Sequence, residues 1–157
     1  MDAFPPPYSF RLATASDATI IAKHRAQMFR DMGCSSDDET SRIFEASVPW
    51  FHQILSDRSY VGWLVLHLGT VVASGGIHIR DLGPVPGCCG GGRLGHIANI
   101  YTEPAHRRRG VARSLVTMIL TWATDQQLDK ITLSASNDGR SLYEKLGFVS
   151  SHDMQLP

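Results

Sequence analysis

The stretch "HRRRGVARSL", His106 to Leu115, sets three consecutive arginines directly before a glycine and an apolar run. Three readings compete for it: a basic patch for nucleic acid, a cradle for a phosphate, or the charged start of an ordinary helix. The flanking sequence decides between them. Leu94 to Thr102 reads as a strand, and from Gly110 the residues Val111, Leu115, Met118 and Trp122 fall at i, i+4, i+7 and i+11, which predicts a helix. At a helix start the first N–H groups lack internal partners, and the helix dipole adds roughly half a positive charge. Arginines placed there are opposed by the dipole unless an anion offsets them. Gly110 and the small Ala112 leave room for a diphosphate to approach the main chain. The run therefore reads as a phosphate cradle. It is not one of the commoner ones: G-x-x-x-x-G-K-[ST] is absent, and no G-x-G-x-x-G follows the first strand.

Composition narrows the choice further. The 157 residues predict one domain over 8–157 behind an extended leader at 1–7, which holds Pro5 to Pro7. Fifteen basic residues balance fifteen acidic ones, whereas a nucleic-acid binder carries a basic excess. The longest apolar stretch, Val61 to Ala73, is interrupted by His67, Gly69 and Thr70, which argues against a membrane span. The start, "MDAFPPPYSF", lacks the pattern of a secretory signal, so a cytoplasmic protein is expected. Cys34, Cys88 and Cys89 form neither a C-x-x-C pair nor a disulfide framework. The seven histidines are scattered, and no metal site is expected.

Along the chain, "YSFRLA" predicts a first strand, and Thr14 and Asp17 stand in capping-box spacing before a helix. The apolar face of that helix comprises Ala18, Ile21, Ala22, Met28, Phe29 and Met32, with Gly33 placed to end it. Pro49 predicts a division of the next region into two short helices, 39–47 and 50–56. Strands follow at Tyr60–Leu68 and Val71–Arg80, then the loop "DLGPVPGCCGGG" and the strand 94–102. After the helix from Gly110 come a fifth strand, "ITLSAS", a short helix in "GRSLYEKLGF", and a last strand or hairpin from Phe148. This order predicts an α/β protein of the α+β type. Its sheet is mixed and mostly antiparallel, one parallel pair flanks a crossover helix, and helices cover both faces.

The segment "NIYTEPAHRRRGVARSLV" resembles the acyl-CoA-binding segment of the GNAT superfamily of N-acyltransferases, whose [RQ]-x-x-G-x-[GA] hallmark is met by Arg107, Gly110 and Ala112. "SASNDGRSLYEKLGF" resembles the second hallmark, an Asn followed by a helix ending in [LI]-Y-x-x-x-G-F. The resemblance implies that the fourth and fifth strands splay apart around the pantetheine arm of acetyl-CoA. It implies main-chain bonds to that arm from Ile100, Tyr101 and Thr102, freed by a bulge in the fourth strand. The arginines of 107–109 and the backbone of Arg108, Arg109, Gly110, Val111, Ala112 and Arg113 would hold the pyrophosphate, with Asn137 opposite. Tyr143 would be the general acid that protonates the CoA thiolate.

The family's usual carboxylate base has no counterpart here, because Leu94 to Tyr101 contains no acid. His96, His78 and Glu45 are the candidates, His96 foremost because histidine titrates near neutrality. Asn99 would orient a water, and Met28, Phe29 and Arg30 would shape the acceptor pocket. Cys34 is the candidate for the other route, a cysteine acyl-enzyme. The expected activity is direct N-acetylation of a small-molecule or protein amine, without metal, nucleic acid or membrane, and with a homodimer plausible by resemblance. The alternative is a catalytically weak module that senses acyl-CoA.

Overall fold

The computed structural model describes residues 4–157, so Met1 to Ala3 of the expected leader lie outside the described residues. The five strands are β1 (Tyr8–Leu12), β2 (Tyr60–His67), β3 (Thr70–Asp81), β4 (Arg93–Thr102) and β5 (Lys130–Leu133). The helices are α1 (Ala18–Asp31), α2 (Asp37–Ser56), α3 (Val111–Asp125) and α4 (Arg140–Lys145). The strands lie in one sheet in sequence order, antiparallel from β1 to β4, with β4 and β5 parallel. This is the mixed sheet that the order of elements predicts. No helix among the described residues is long and apolar enough to cross a membrane.

Two apolar clusters sandwich the sheet. On one face Val111, Leu115, Val116 and Ile119 of α3 pack on Trp63, Val65, Val72 and Ile77. On the other, Ile21 and Ala22 of α1 and Phe51 and Ile54 of α2 pack on Tyr60 and Leu64. The i, i+4, i+7 spacing read from the sequence thus turns one side of α3 inward.

Two expectations fail. Residues 37–56 form one helix with Pro49 inside it rather than two helices. Proline withholds the bond that the Glu45 carbonyl would receive, but both residues are exposed and water can take that carbonyl. Buried Ser47, Phe51 and Ile54 hold the two halves to one continuous face. The last strand or hairpin expected from Phe148 is absent: residues 148–157 carry no regular structure, and Val149, Met154 and Leu156 are exposed. The four-residue β5 offers only a short edge for such a strand, and the tail "SSHDMQLP" lacks the alternation that would face one side inward.

Gly76 shows how the sheet makes room for its polar face. A Cβ there would stand 2.4 Å from both the Tyr60 ring and the Val61 carbonyl oxygen, so glycine lets the tyrosine lie across the strand. Gly76→Ala is expected to lower stability by about 2 kcal/mol in urea denaturation, the cost of overpacking beside backbone that has nowhere to shift.

Candidate active site

Strand β4 carries one residue too many. Opposite it, Gly76 pairs with Ala98 and Ser74 with Tyr101, so two residues between the paired positions on β4 face one on β3. Asn99 takes up the excess with φ 61°, a left-handed conformation that asparagine tolerates better than most residues. The bulge reverses the facing of everything beyond it. Before it, Ile97 is buried in the α3-side cluster. After it, Ile100 packs on that side, while Asn99 and Tyr101 meet groups of β2 and α1.

The parallel pair also opens here. Pairing of β4 with β5 runs only from Leu94–Lys130 to Ile97–Leu133, although β4 continues to Thr102. Residues 98–102 thus have no strand partner on that side. The bulge and the splay coincide, as the resemblance implies.

At the far end of β4 the chain turns into α3. Gly110 caps the helix with φ 77° and no side-chain cap, and the first helical bond runs from the Ser114 N–H to the Gly110 carbonyl. The amides of Val111, Ala112 and Arg113 therefore have no partner within the helix. Nothing stands within 4 Å of a Cβ built on Gly110, so the approach is open. Such an open, amide-lined helix start fits a diphosphate.

The arginines divide. Arg108, Arg109 and Arg113 are exposed, and none has an ion pair among the described residues. Arg107, exposed as well, is bound to the protein: its Nε donates to the Thr102 carbonyl at 2.9 Å, its Nη2 pairs with Asp31, and its guanidinium lies 5.5 Å from the Tyr101 ring centre. Its side chain thus ties the end of α1 to the turn before α3. Asp31 is held below the ordinary carboxylate range by this contact and by Gln27, against the opposing effect of burial.

The candidate base and acceptor residues separate into two groups. His78 and His96 are cross-strand partners on β3 and β4. His96 Nδ1 lies 2.8 Å from the Thr132 hydroxyl on β5. Burial, and then the Arg80 charge, lowers its pKa, with Asp153 opposing. His78 packs against the rings of Trp50 and Tyr60, and burial followed by the charges of His96, Arg80 and Arg25 pushes its pKa down to about 4. Asn99 donates to the Tyr60 hydroxyl at 3.5 Å and accepts from Arg25, whose guanidinium stacks on Phe29. Phe29, His78, His96 and Asn99 therefore share one face of the sheet.

Three candidates do not join them. Arg30 pairs with Asp37 at 3.1 Å on the surface. Glu45 is exposed and lines an outer groove with Lys23 and Gln27. Cys34 is exposed and its thiol faces only the Met32 carbonyl. Met28 is half-buried, and Asn137 lies exposed between β5 and α4. Tyr143, on α4, sets its ring edge-on to Phe148 at 6.0 Å, and burial raises its pKa, so the phenol keeps its proton at neutral pH. Among the described residues, no group of three or more His, Cys, Asp or Glu could hold a metal ion.

Sequence reasoning missed Arg25, Trp50, Tyr60 and His24. The signal for Arg25 was available: it occupies the position between Ala22 and Met28 where the α1 stripe is due an apolar residue. His24 is buried, with Nδ1 2.7 Å from the Ser74 hydroxyl and Nε2 3.6 Å from Glu103.

A domain model described as the acetyltransferase (GNAT) family matches residues 22–148, and the chain belongs to that family. The crystal structure of a GCN5-related N-acetyltransferase from Ralstonia eutropha superposes with a TM-score of 0.88 at 25% identity, covering 96% of this chain and 97% of that one. A predicted acetyltransferase from Clostridium acetobutylicum, solved with acetyl-CoA, gives 0.83 at 26% identity over 96% and 95% of the two chains. Glucosamine 6-phosphate N-acetyltransferase of Trypanosoma brucei brucei is 30% identical over 67 residues, which is 43% of this chain and 45% of that protein. The match thus spans a little under half of that relative's length.

Three buried or half-buried histidines, His24, His78 and His96, hold pKa values below their ordinary one. An unfolded chain takes up their protons first as pH falls, so the stability they favour is complete above about pH 6.5 and declines below it. The melting temperature is expected to fall from pH 6.5 toward pH 4, and His78→Phe to flatten part of that slope in pH-resolved thermal melts.

Proposed function

We propose that the protein moves the acetyl group of acetyl-CoA directly onto a primary amine of a small molecule or a protein. One observation carries this reading: a strand left without its β5 partner beyond Ile97 leads toward a helix whose first amides are free and flanked by unpaired guanidinium groups. Acetyl-CoA supplies a thioester whose carbonyl carbon the amine attacks. The amides of 108–113 and the side chains of Arg108, Arg109 and Arg113 bind the diphosphate, while Arg107 positions that loop through Asp31 and Thr102. The free edge of β4 from Ile100 to Thr102 bonds the pantetheine arm like an added strand, with Asn137 across from it. An N–H near Ile100 donates to the carbonyl oxygen as charge develops on it.

Protons move through two side chains. His96, neutral at pH 7, accepts the amine proton as the new N–C bond forms. His78, with its pKa near 4, is too weak a base for that task and serves as part of the pocket wall. Tyr143, held protonated, gives its proton to sulfur as the C–S bond breaks. An acyl-enzyme at Cys34 is disfavoured by its exposed thiol, which has no histidine beside it. One observation favours a second reading, an acyl-CoA sensor: β4 offers no carboxylate base.

Tyr143→Phe is expected to keep acetyl-CoA affinity by calorimetry and to lower kcat by roughly 10²-fold in thiol-release assays. Gly110→Glu sets charge and a strained left-handed backbone against the diphosphate, and is expected to weaken acetyl-CoA binding at least about tenfold while leaving the circular dichroism spectrum intact. Because His96 acts in its neutral form and its pKa is lowered, the acid limb of kcat/KM is expected below the ordinary histidine value. His96→Gln should remove that limb. Binding without turnover across a broad amine panel would favour the sensor.

A further inference from the structure

Arg25 is a cation without a counter-ion. It projects from α1 where the helix stripe is otherwise apolar, and it is half-buried. Its guanidinium stands 4.9 Å from the Phe29 ring centre and 5.1 Å from that of Trp50, so two aromatic rings pack against it. Of its five N–H donors, one meets a protein acceptor, the Asn99 side-chain carbonyl. No carboxylate acts on its charge: besides burial, the one group felt by Arg25 is the Tyr60 hydroxyl. No carboxylate among the described residues pairs with Arg25.

The group is half-buried but its remaining donors are open to solvent, so an anion can reach them. Its planar fork matches a carboxylate or phosphate in two parallel bonds. Its place is equally specific. Asn99 is the bulge residue at the mouth of the splay, one position before Ile100, where the carbonyl oxygen is proposed to be held. An anion on Arg25 would therefore belong to the molecule whose amine is acetylated.

We infer that Arg25, packed against Phe29 and Trp50 and oriented by Asn99, selects acceptors that carry a carboxylate or phosphate a few bonds from the reacting amine. The inference rests on the acetyltransfer reading above. Asn99 holds one edge of the fork, the aromatic pair fixes its plane, and the remaining edge is left for the oxyacid group.

Matched pairs of amines test it: β-alanine against β-alaninamide, and 2-aminoethyl phosphate against ethanolamine, each with acetyl-CoA and thiol release as readout. The wild type is expected to prefer the anionic member of at least one pair by about tenfold or more in kcat/KM, and the pair that shows it tells carboxylate from phosphate. In Arg25→Gln that ratio should collapse toward one, chiefly through KM, and Arg25→Lys should restore only part of it. Equal use of anionic and neutral amines by the wild type would overturn the inference and leave acetyl transfer standing. Absence of turnover with every amine would overturn acetyl transfer. In that case the Arg25 Nε–Hε NMR signal, titrated with N-acetyl-β-alanine and with N-acetyl-β-alaninamide in the presence of CoA, decides: a shift with the acid alone supports the inference, and no shift or equal shifts overturn it.

Discussion

One extra residue in β4 organises the candidate active site. Asn99 accepts a left-handed backbone, and the strand changes phase: Ile97 and Ile100 both reach the α3 side, while Asn99 and Tyr101 both turn to the α1 side. Without that slip, alternation would put Asn99 on the face of Ile97, inside an apolar cluster that offers its amide no partner. The same stretch is where β5 stops pairing with β4. Main-chain groups that elsewhere complete a sheet are released beside a polar side chain. The strain is local, and the flanking pairs of β3 and β4 hold it in place.

The charge arrangement follows a second constraint, set by what is buried. Arg108, Arg109 and Arg113 at the solvent-facing start of α3 have no ion pair among the described residues, and water screens them. Arg107, closer to the sheet, is matched by Asp31 and a carbonyl. His24, fully buried, is neutral and bonded to Ser74. Arg25 departs from the pattern, since it is half-buried, charged and matched only by an amide and two aromatic faces. The two unpaired sets lie at different places, one at the start of α3 and the other against the bulge residue Asn99.

Much of the fold was legible because the local signals agreed with one another. The stripe on α3, the glycine before it and the strand, helix, strand order around it agree on one sheet with a parallel pair. Pro49 misled because a proline forbids a hydrogen bond, not a helix, and an exposed carbonyl can turn to water. The tail misled because a strand was placed after the last helix where the residues lack the alternation a strand needs. In the site, Gly110 and its arginines could be read from spacing, but the ion pair of Arg107 could not, since three identical letters hide which one faces Asp31. Tyr60 and Trp50 were invisible for another reason: aromatic residues on a strand and a helix look like core until the histidines and the amide around them are seen.

The three adjacent arginines are chemically alike but not interchangeable. Arg108 bends the chain into the left-handed region, and Arg107 before it extends. At 107 only a forked, planar head can satisfy a carbonyl and a carboxylate at once, so even lysine would loosen the joint between helix and turn. Arg109 is exposed and makes no side-chain contact of that kind among the described residues, so lysine there would break none. Drift along this run should therefore be uneven, with the first letter frozen by architecture and the third free to vary.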